Sequence, residues 1–174
     1  EVSMTYSGQF YSVAQSVGLS AYVISSHARP DHFENDWITI DYRRKFSEGK
    51  TGLSYHLMEL TYILWLVWRV LKSKSDAVVV MNIEHWWLLS LLKLASIDVI
   101  PSLHCTFWPK GHPAVSFKQK SIHWLNGIFW RFIPLSTICI SPECERQVRA
   151  ITKNKVHGSL IQARPLYHPG YLET

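Results

Sequence analysis

The sequence predicts an α/β domain whose mostly parallel sheet is flanked by helices. Three observations carry the prediction. Short valine- and isoleucine-rich runs alternate with longer stretches whose apolar residues recur every three to four positions, the rhythm of strand, helix, strand. The 174 residues are 47% hydrophobic and 18% charged, enough apolar material for one core and too few charges for a disordered chain. Eight glycines and eight prolines are spread without a low-complexity tract or a repeat, so one continuous domain over residues 1–174 is expected.

Ser7 to Val17 sets Phe10, Val13, Ala14 and Val17 at helical spacing and stops at Gly18, which predicts a helix. Ser20 to Ser25 is β-branched and aromatic and predicts a buried strand, followed by a polar, proline-containing stretch from His27 to Asp36. Trp37 to Ile40 alternates as a short edge strand does, and the charged residues 41–52 predict a surface loop. Leu53 to Ser73 carries the strongest helical rhythm, through Leu53, Leu57, Leu60, Leu64, Val67 and Leu71. The valine run from Asp76 to Met81 is too short for another helix and predicts a strand buried on both faces, as parallel strands are. Helix Trp86 to Ala95, strand Asp98 to His104, helix Phe117 to Phe132, strand Thr137 to Ser141, helix Glu143 to Thr152 and strand Ser159 to Gln162 complete the alternation. Right-handed crossovers then place helices on both faces of the sheet.

Eighteen Lys and Arg against thirteen Asp and Glu give a net charge of +5, a bias towards phosphates, nucleic acid or an acidic membrane. Cys105, Cys139 and Cys144 form no CxxC pair, so neither a disulfide framework nor a zinc knuckle is indicated, and a reducing cytosol is the simpler compartment. The longest apolar run, Tyr62 to Val70, is broken by Arg69 and falls short of the roughly 20 residues of a membrane span. Trp65, Trp68 and the aromatic run near Trp130 sit beside Lys and Arg; most of this is core material, and part suits a membrane-surface helix. Arg43-Arg44-Lys45 and Lys118-Gln119-Lys120 are solvated faces or phosphate contacts, and no nucleic-acid reading module is present, so nucleic acid is not the expected partner.

Ligands of open α/β sheets bind beyond the carboxyl ends of the strands. Polar residues concentrate there. His104, at the end of the 98–104 strand, is the best single candidate for chemistry, because a strand-end imidazole can orient a hydroxyl or pass a proton. Against this stands a histidine bonded to its surroundings for structural reasons. The following Cys105-Thr-Phe-Trp108-Pro-Lys-Gly111 suits a pocket for a polar ring. Glu84 and His85 are either an acid/base pair or caps of the next helix, and capping is favoured. Ser141-Pro142-Glu143 is a complete helix start and needs no chemistry. No G-x-S-x-G elbow, dinucleotide fingerprint or P-loop occurs. Nine histidines include no HxxxH pair, so no metal site is expected.

Val99-Ile-Pro-Ser-Leu-His104, followed by Thr106-Phe-Trp-Pro109, resembles the strand, histidine and Trp-Pro of the retaining family 4 glycosyltransferases of GT-B fold. Thr137 to Val148 is similar to that family's later strand, serine and helix. Gly18 to Ser25 matches the strand after the first helix, and Ser7-Gly8-Gln9 looks like what remains of the glycine loop before it. The resemblance implies a Rossmann-like three-layer domain, the acceptor-side N-terminal half of the fold. It implies His104 as the catalytic residue near the reacting sugar, Glu84, His85 and Trp108 as acceptor-binding residues, and Ser7, Gly8 and Gln9 as the donor-phosphate loop. It implies a nucleotide-sugar donor, a sugar or lipid-linked acceptor, no cofactor and no metal, and a cytoplasmic enzyme with the inner face of a membrane as a second location. Only Glu1 to Tyr6 stand where the family's first strand belongs, the donor-binding domain would follow Thr174, and Gln162-Ala-Arg-Pro165 replaces the family's Pro-Asn-Gly. This polypeptide by itself is then expected to be inactive. The alternative reading is a non-catalytic basic module that binds an acidic membrane or protein surface.

Overall fold

The computed structural model describes residues 6–26, 31–113 and 116–163, with the backbone alone at 6–10. The chain divides into two compact units, the first ending at Gly49 and the second beginning at Lys50.

Helix α1 (Tyr6–Ser16) opens the first unit. Gly18, at φ 71°, closes it, and its N–H donates to Gln15 O; without a Cβ, glycine takes this left-handed conformation cheaply. Strands β1 (Ala21–Ser26), β2 (Asp31–Glu34) and β3 (Ile38–Arg43) form a sheet of order β1-β3-β2. Here the expectations need three corrections. β3 is the central strand and not an edge, parallel to β1 and antiparallel to β2, and it runs on to Arg43 into the stretch expected to be a loop. β2 arises inside a stretch expected to be irregular. Asn35 is the cause: its Oδ1 accepts from the N–H groups of Trp37 and Ile38, folding a tight connection between β2 and β3. β1 is only partly buried, with Tyr22 36% exposed. Its hydroxyl donates to the buried Asp41 carboxylate, whose other oxygen lies 2.8 Å from His32 Nδ1.

The second unit is a Rossmann-like α/β unit. Strands β4 (Ala77–Met81), β5 (Asp98–Leu103), β6 (Ser136–Cys139) and β7 (Ser159–Gln162) lie side by side in chain order, every pair parallel. Helix α2 (Gly52–Ser73) leads in; a 3-10 turn (Trp86–Leu89) with the short α3 (Ser90–Lys93), then α4 (Phe117–Phe132) and α5 (Pro142–Thr152), make the crossovers. The predicted helix from Trp86 is thus a 3-10 turn and one α turn, since His85 before it has non-helical backbone and offers no side-chain cap. The valine strand is not buried on both faces. Among the described residues β4 pairs with β5 alone, and Val79 is 42% exposed.

One face of the sheet, through Val99, Leu103 and Cys139, meets Ile63, Leu92, Phe129, Trp130 and Val148 in the core. Trp86, Phe129 and Trp130 pack ring on ring at 5.1–6.3 Å, and the Trp130 indole N–H donates to the buried Thr137 hydroxyl at 3.0 Å. Each such aromatic contributes roughly 2–3 kcal/mol by transfer from water. Gly127 lets α4 close on α5: a Cβ there would lie 2.5 Å from Ile151 O. Among the described residues, no helix is long and apolar enough to cross a membrane.

Residues 1–5, which stand where the family's first strand belongs, lie outside the described residues, and Tyr6 belongs to α1. His27 and the end of the 162–165 linker also lie outside them.

Candidate functional site

Parallel pairing brings the carboxyl ends of β4, β5 and β6 to one edge of the sheet, and each is followed by polar residues. Past β4 the chain turns at Asn82, in the left-handed region at φ 52°, which asparagine tolerates better than most residues. The next residues are pinned from outside. Asn126, 1% exposed on α4, donates from Nδ2 to Glu84 O at 2.9 Å and accepts the Trp87 N–H at Oδ1 at 3.3 Å.

The pinned loop presents Glu84 and His85 to α2. Glu84 Oε2 lies 3.6 Å from His56 Nδ1, and the rings of His56 and His85 meet edge to face at 5.8 Å. His85 is 5% exposed, and neither of its ring nitrogens has a hydrogen-bond partner among the described residues; nor does His56 Nδ1. Burial pulls the His85 pKa below its ordinary value; the nearby Glu84 and Glu59 carboxylates act against this, and His56 and Lys118 with it. His85 occupies the cap position of the 3-10 turn and makes no side-chain capping bond, so the favoured capping reading does not hold for it.

His104 follows β5 and is half-buried, its Nε2 3.1 Å from the Oγ of the fully buried Ser102. Burial lowers its pKa, favouring the uncharged ring. The loop beyond it is clamped by α5. Gln147, 0% exposed, accepts the N–H groups of Phe107 (2.8 Å) and Trp108 (3.2 Å) and donates to Trp108 O (2.8 Å) and to Glu143 Oε1 (2.7 Å). The Trp108 ring lies 5.0 Å from His123 of α4. Burial lowers the His123 pKa, against the attraction of the Glu84 carboxylate. Ser141 caps α5, its Oγ accepting the Cys144 N–H, with Pro142 in the first turn: a structural role, as its sequence indicates.

The edge therefore gathers His104 and Trp108 on one loop and Glu84 and His85 on its neighbour. Ser7, Gly8 and Gln9 belong to the first unit, in the first turn of α1; the loop that the resemblance implies is helical backbone there, a conformation glycine accepts at a cost near 1 kcal/mol. Sequence reasoning missed His56, His123, Asn126 and Gln147. The two amides did leave a signal, since each is a polar residue set into the apolar stripe of its helix, Asn126 between Ile122 and Phe129 and Gln147 beside Cys144 and Val148.

Comparison with known proteins finds no family model, no curated protein and no solved structure that matches the chain.

Proposed function

We propose that the chain is the acceptor-side domain of a retaining glycosyltransferase that moves a sugar from a nucleotide-sugar to an acceptor hydroxyl. One observation carries the reading: a half-buried imidazole, His104, follows an inner strand of the parallel sheet beside a loop bearing Phe107 and Trp108. A neutral imidazole both donates and accepts, as a sugar hydroxyl requires, and an aromatic face stacks on the C–H surface of a pyranose. Ser102, fully buried, fixes the ring, and Gln147 fixes the loop. The nucleotide-sugar is held chiefly by a further domain of the parent enzyme, the acceptor is a sugar or a lipid-linked sugar, and the site of action is the cytoplasm or the inner face of a membrane.

The test is transfer by the full-length protein from a panel of nucleotide-sugars, with this chain alone as the inactive control. His104→Ala should slow transfer on the order of 100-fold while costing about 1 kcal/mol of stability for the bond to Ser102. Unchanged transfer returns His104 to a structural role, and efficient transfer by this chain alone contradicts the division of labour.

A second reading, attachment to an acidic membrane surface, is favoured by the exposed stripe Leu53, Leu57, Leu64, Trp68 and Leu71 on α2, where the Lys72 ammonium lies 4.2 Å from the centre of the Trp68 ring. Co-sedimentation with anionic vesicles at low and high salt tests it; binding that salt reverses supports it, and no binding to either preparation removes it.

A further inference from the structure

We propose that His56, Glu84 and His85 form a binding site for a divalent transition-metal ion of the zinc class. Two imidazoles and one carboxylate are the donor set that zinc takes where three protein ligands leave a fourth position open. The donor atoms of the three side chains all lie within 4.8 Å of one another, with His56 Nδ1 and Glu84 Oε2 3.6 Å apart. Ligands on a tetrahedral ion at zinc's bond lengths stand about 3.4 Å apart, so the triad closes with side-chain movements on the order of 1 Å.

The second observation is independent of that proximity. His85 is 5% exposed, and both of its ring nitrogens lack a partner among the described residues. Buried polar atoms are nearly always satisfied, and an imidazole that meets neither protein acceptor nor donor is poorly accounted for by packing. A metal ion at its free lone pair accounts for one of the two nitrogens, and does the same for His56 Nδ1.

The surroundings suit a built site. Glu84 and His85 ride on a loop whose backbone Asn126 holds at Glu84 O and Trp87 N, while His56 comes from α2, so an ion would tie the helix to the loop. Outer contacts of this kind orient metal ligands elsewhere. Four further titratable groups bear on the triad: Glu59 and Tyr55 on α2, and Lys118 and His123 on α4. Glu59 is buried and adds negative charge; Lys118 opposes it. With two nitrogen donors and a single carboxylate, the site discriminates against magnesium and calcium, which require shells of oxygen. The inference does not need the sugar-transfer reading, although Glu84 and His85 are residues that the resemblance assigns to the acceptor.

The experiment titrates the metal-stripped chain with zinc chloride against a competing chromophoric chelator, and separately with cobalt(II), whose visible d–d bands report a nitrogen and oxygen shell of low coordination number. Wild type should bind one zinc per chain and show no comparable affinity for magnesium. His56→Gln and Glu84→Gln, at partly exposed positions and close in size, should each weaken zinc on the order of 100-fold and abolish the cobalt bands, with far-UV circular dichroism unchanged. His112→Gln, at an exposed histidine elsewhere, should change nothing. Absence of one-to-one zinc binding by folded wild type, or zinc binding that survives both substitutions, overturns the proposal.

Discussion

Gln147 can be removed almost without changing the volume of the core, which makes Gln147→Leu a sharp test of how the 104–111 loop is held. In the native fold the amide satisfies Phe107 N–H, Trp108 N–H and Trp108 C=O, besides reaching Glu143. Leucine satisfies none of them. Each buried backbone group left without a partner costs about 1–3 kcal/mol. Phe107 and Trp108 are half-buried, so water reaches part of the gap and each group sits near the low end, giving about 3 kcal/mol for the three. The better transfer of leucine offsets about 1 kcal/mol, which leaves a net loss near 2 kcal/mol. For a chain of this length that is a fall in Tm of about 4–8 °C. Hydrogen exchange locates the loss: the amides of Phe107 and Trp108 should exchange about 30-fold faster, the equivalent of the same 2 kcal/mol, while the amides of β5 keep their protection. Unchanged exchange at these two amides would refute the clamp, whatever happens to Tm.

Other consequences follow from the same packing. Gly127→Ala would drive a methyl group to 2.5 Å from Ile151 O and push α4 off α5. The clash is with backbone, so overpacking falls in the upper part of its range, about 2–3 kcal/mol, against a helix-propensity gain near 1 kcal/mol, and thermal melting should show a net destabilisation of about 1–2 kcal/mol; an unchanged or raised Tm would contradict the close approach. The bonds of Glu143 to Arg146 and then to Gln147 hold its carboxyl down at about 2, below the ordinary 4.5. A lowered pKa in the folded state stabilises above the unfolded value and loses that contribution as the pH falls through the folded one. The difference in Tm between wild type and Glu143→Gln should therefore be complete at neutral pH, shrink between 4.5 and about 2, and vanish below. It should be small throughout, because the pair is exposed to solvent, and a difference that grows in acid would reverse the assignment.

Most strands and helices of the second unit were legible because each obeys a single strong rule; the helix expected from Trp86 to Ala95 was the exception. β5 and β7 follow short apolar runs, α4 matches its predicted limits from Phe117 to Phe132, and Ser141-Pro142 marks the start of α5 by capping chemistry. β2 was not legible, because Asp31-His-Phe-Glu34 is polar on both sides and becomes a strand through the turn that Asn35 makes. The valine run from 77 to 81 overstated burial, since composition reports what a strand can bury and not how many neighbours it has. At the site, Glu84, His85, His104 and Trp108 are strand-end residues and visible as such. His56 is not, because it meets Glu84 only through the packing of α2 on the loop, with 27 residues between them. No spacing rule reaches across such a gap, whereas the polar breaks at Asn126 and Gln147 in apolar helix faces were there to be read.

The most direct measurement is a titration of the isotopically labelled chain with mono- and disaccharides, following by NMR the imidazole of His104, the indole of Trp108 and the amides of residues 83–87. The account predicts that at least one saccharide moves these signals together and leaves those of α2's exposed stripe in place. Saccharides that move none of them, or that move only signals away from the carboxyl edge of the sheet, would contradict it.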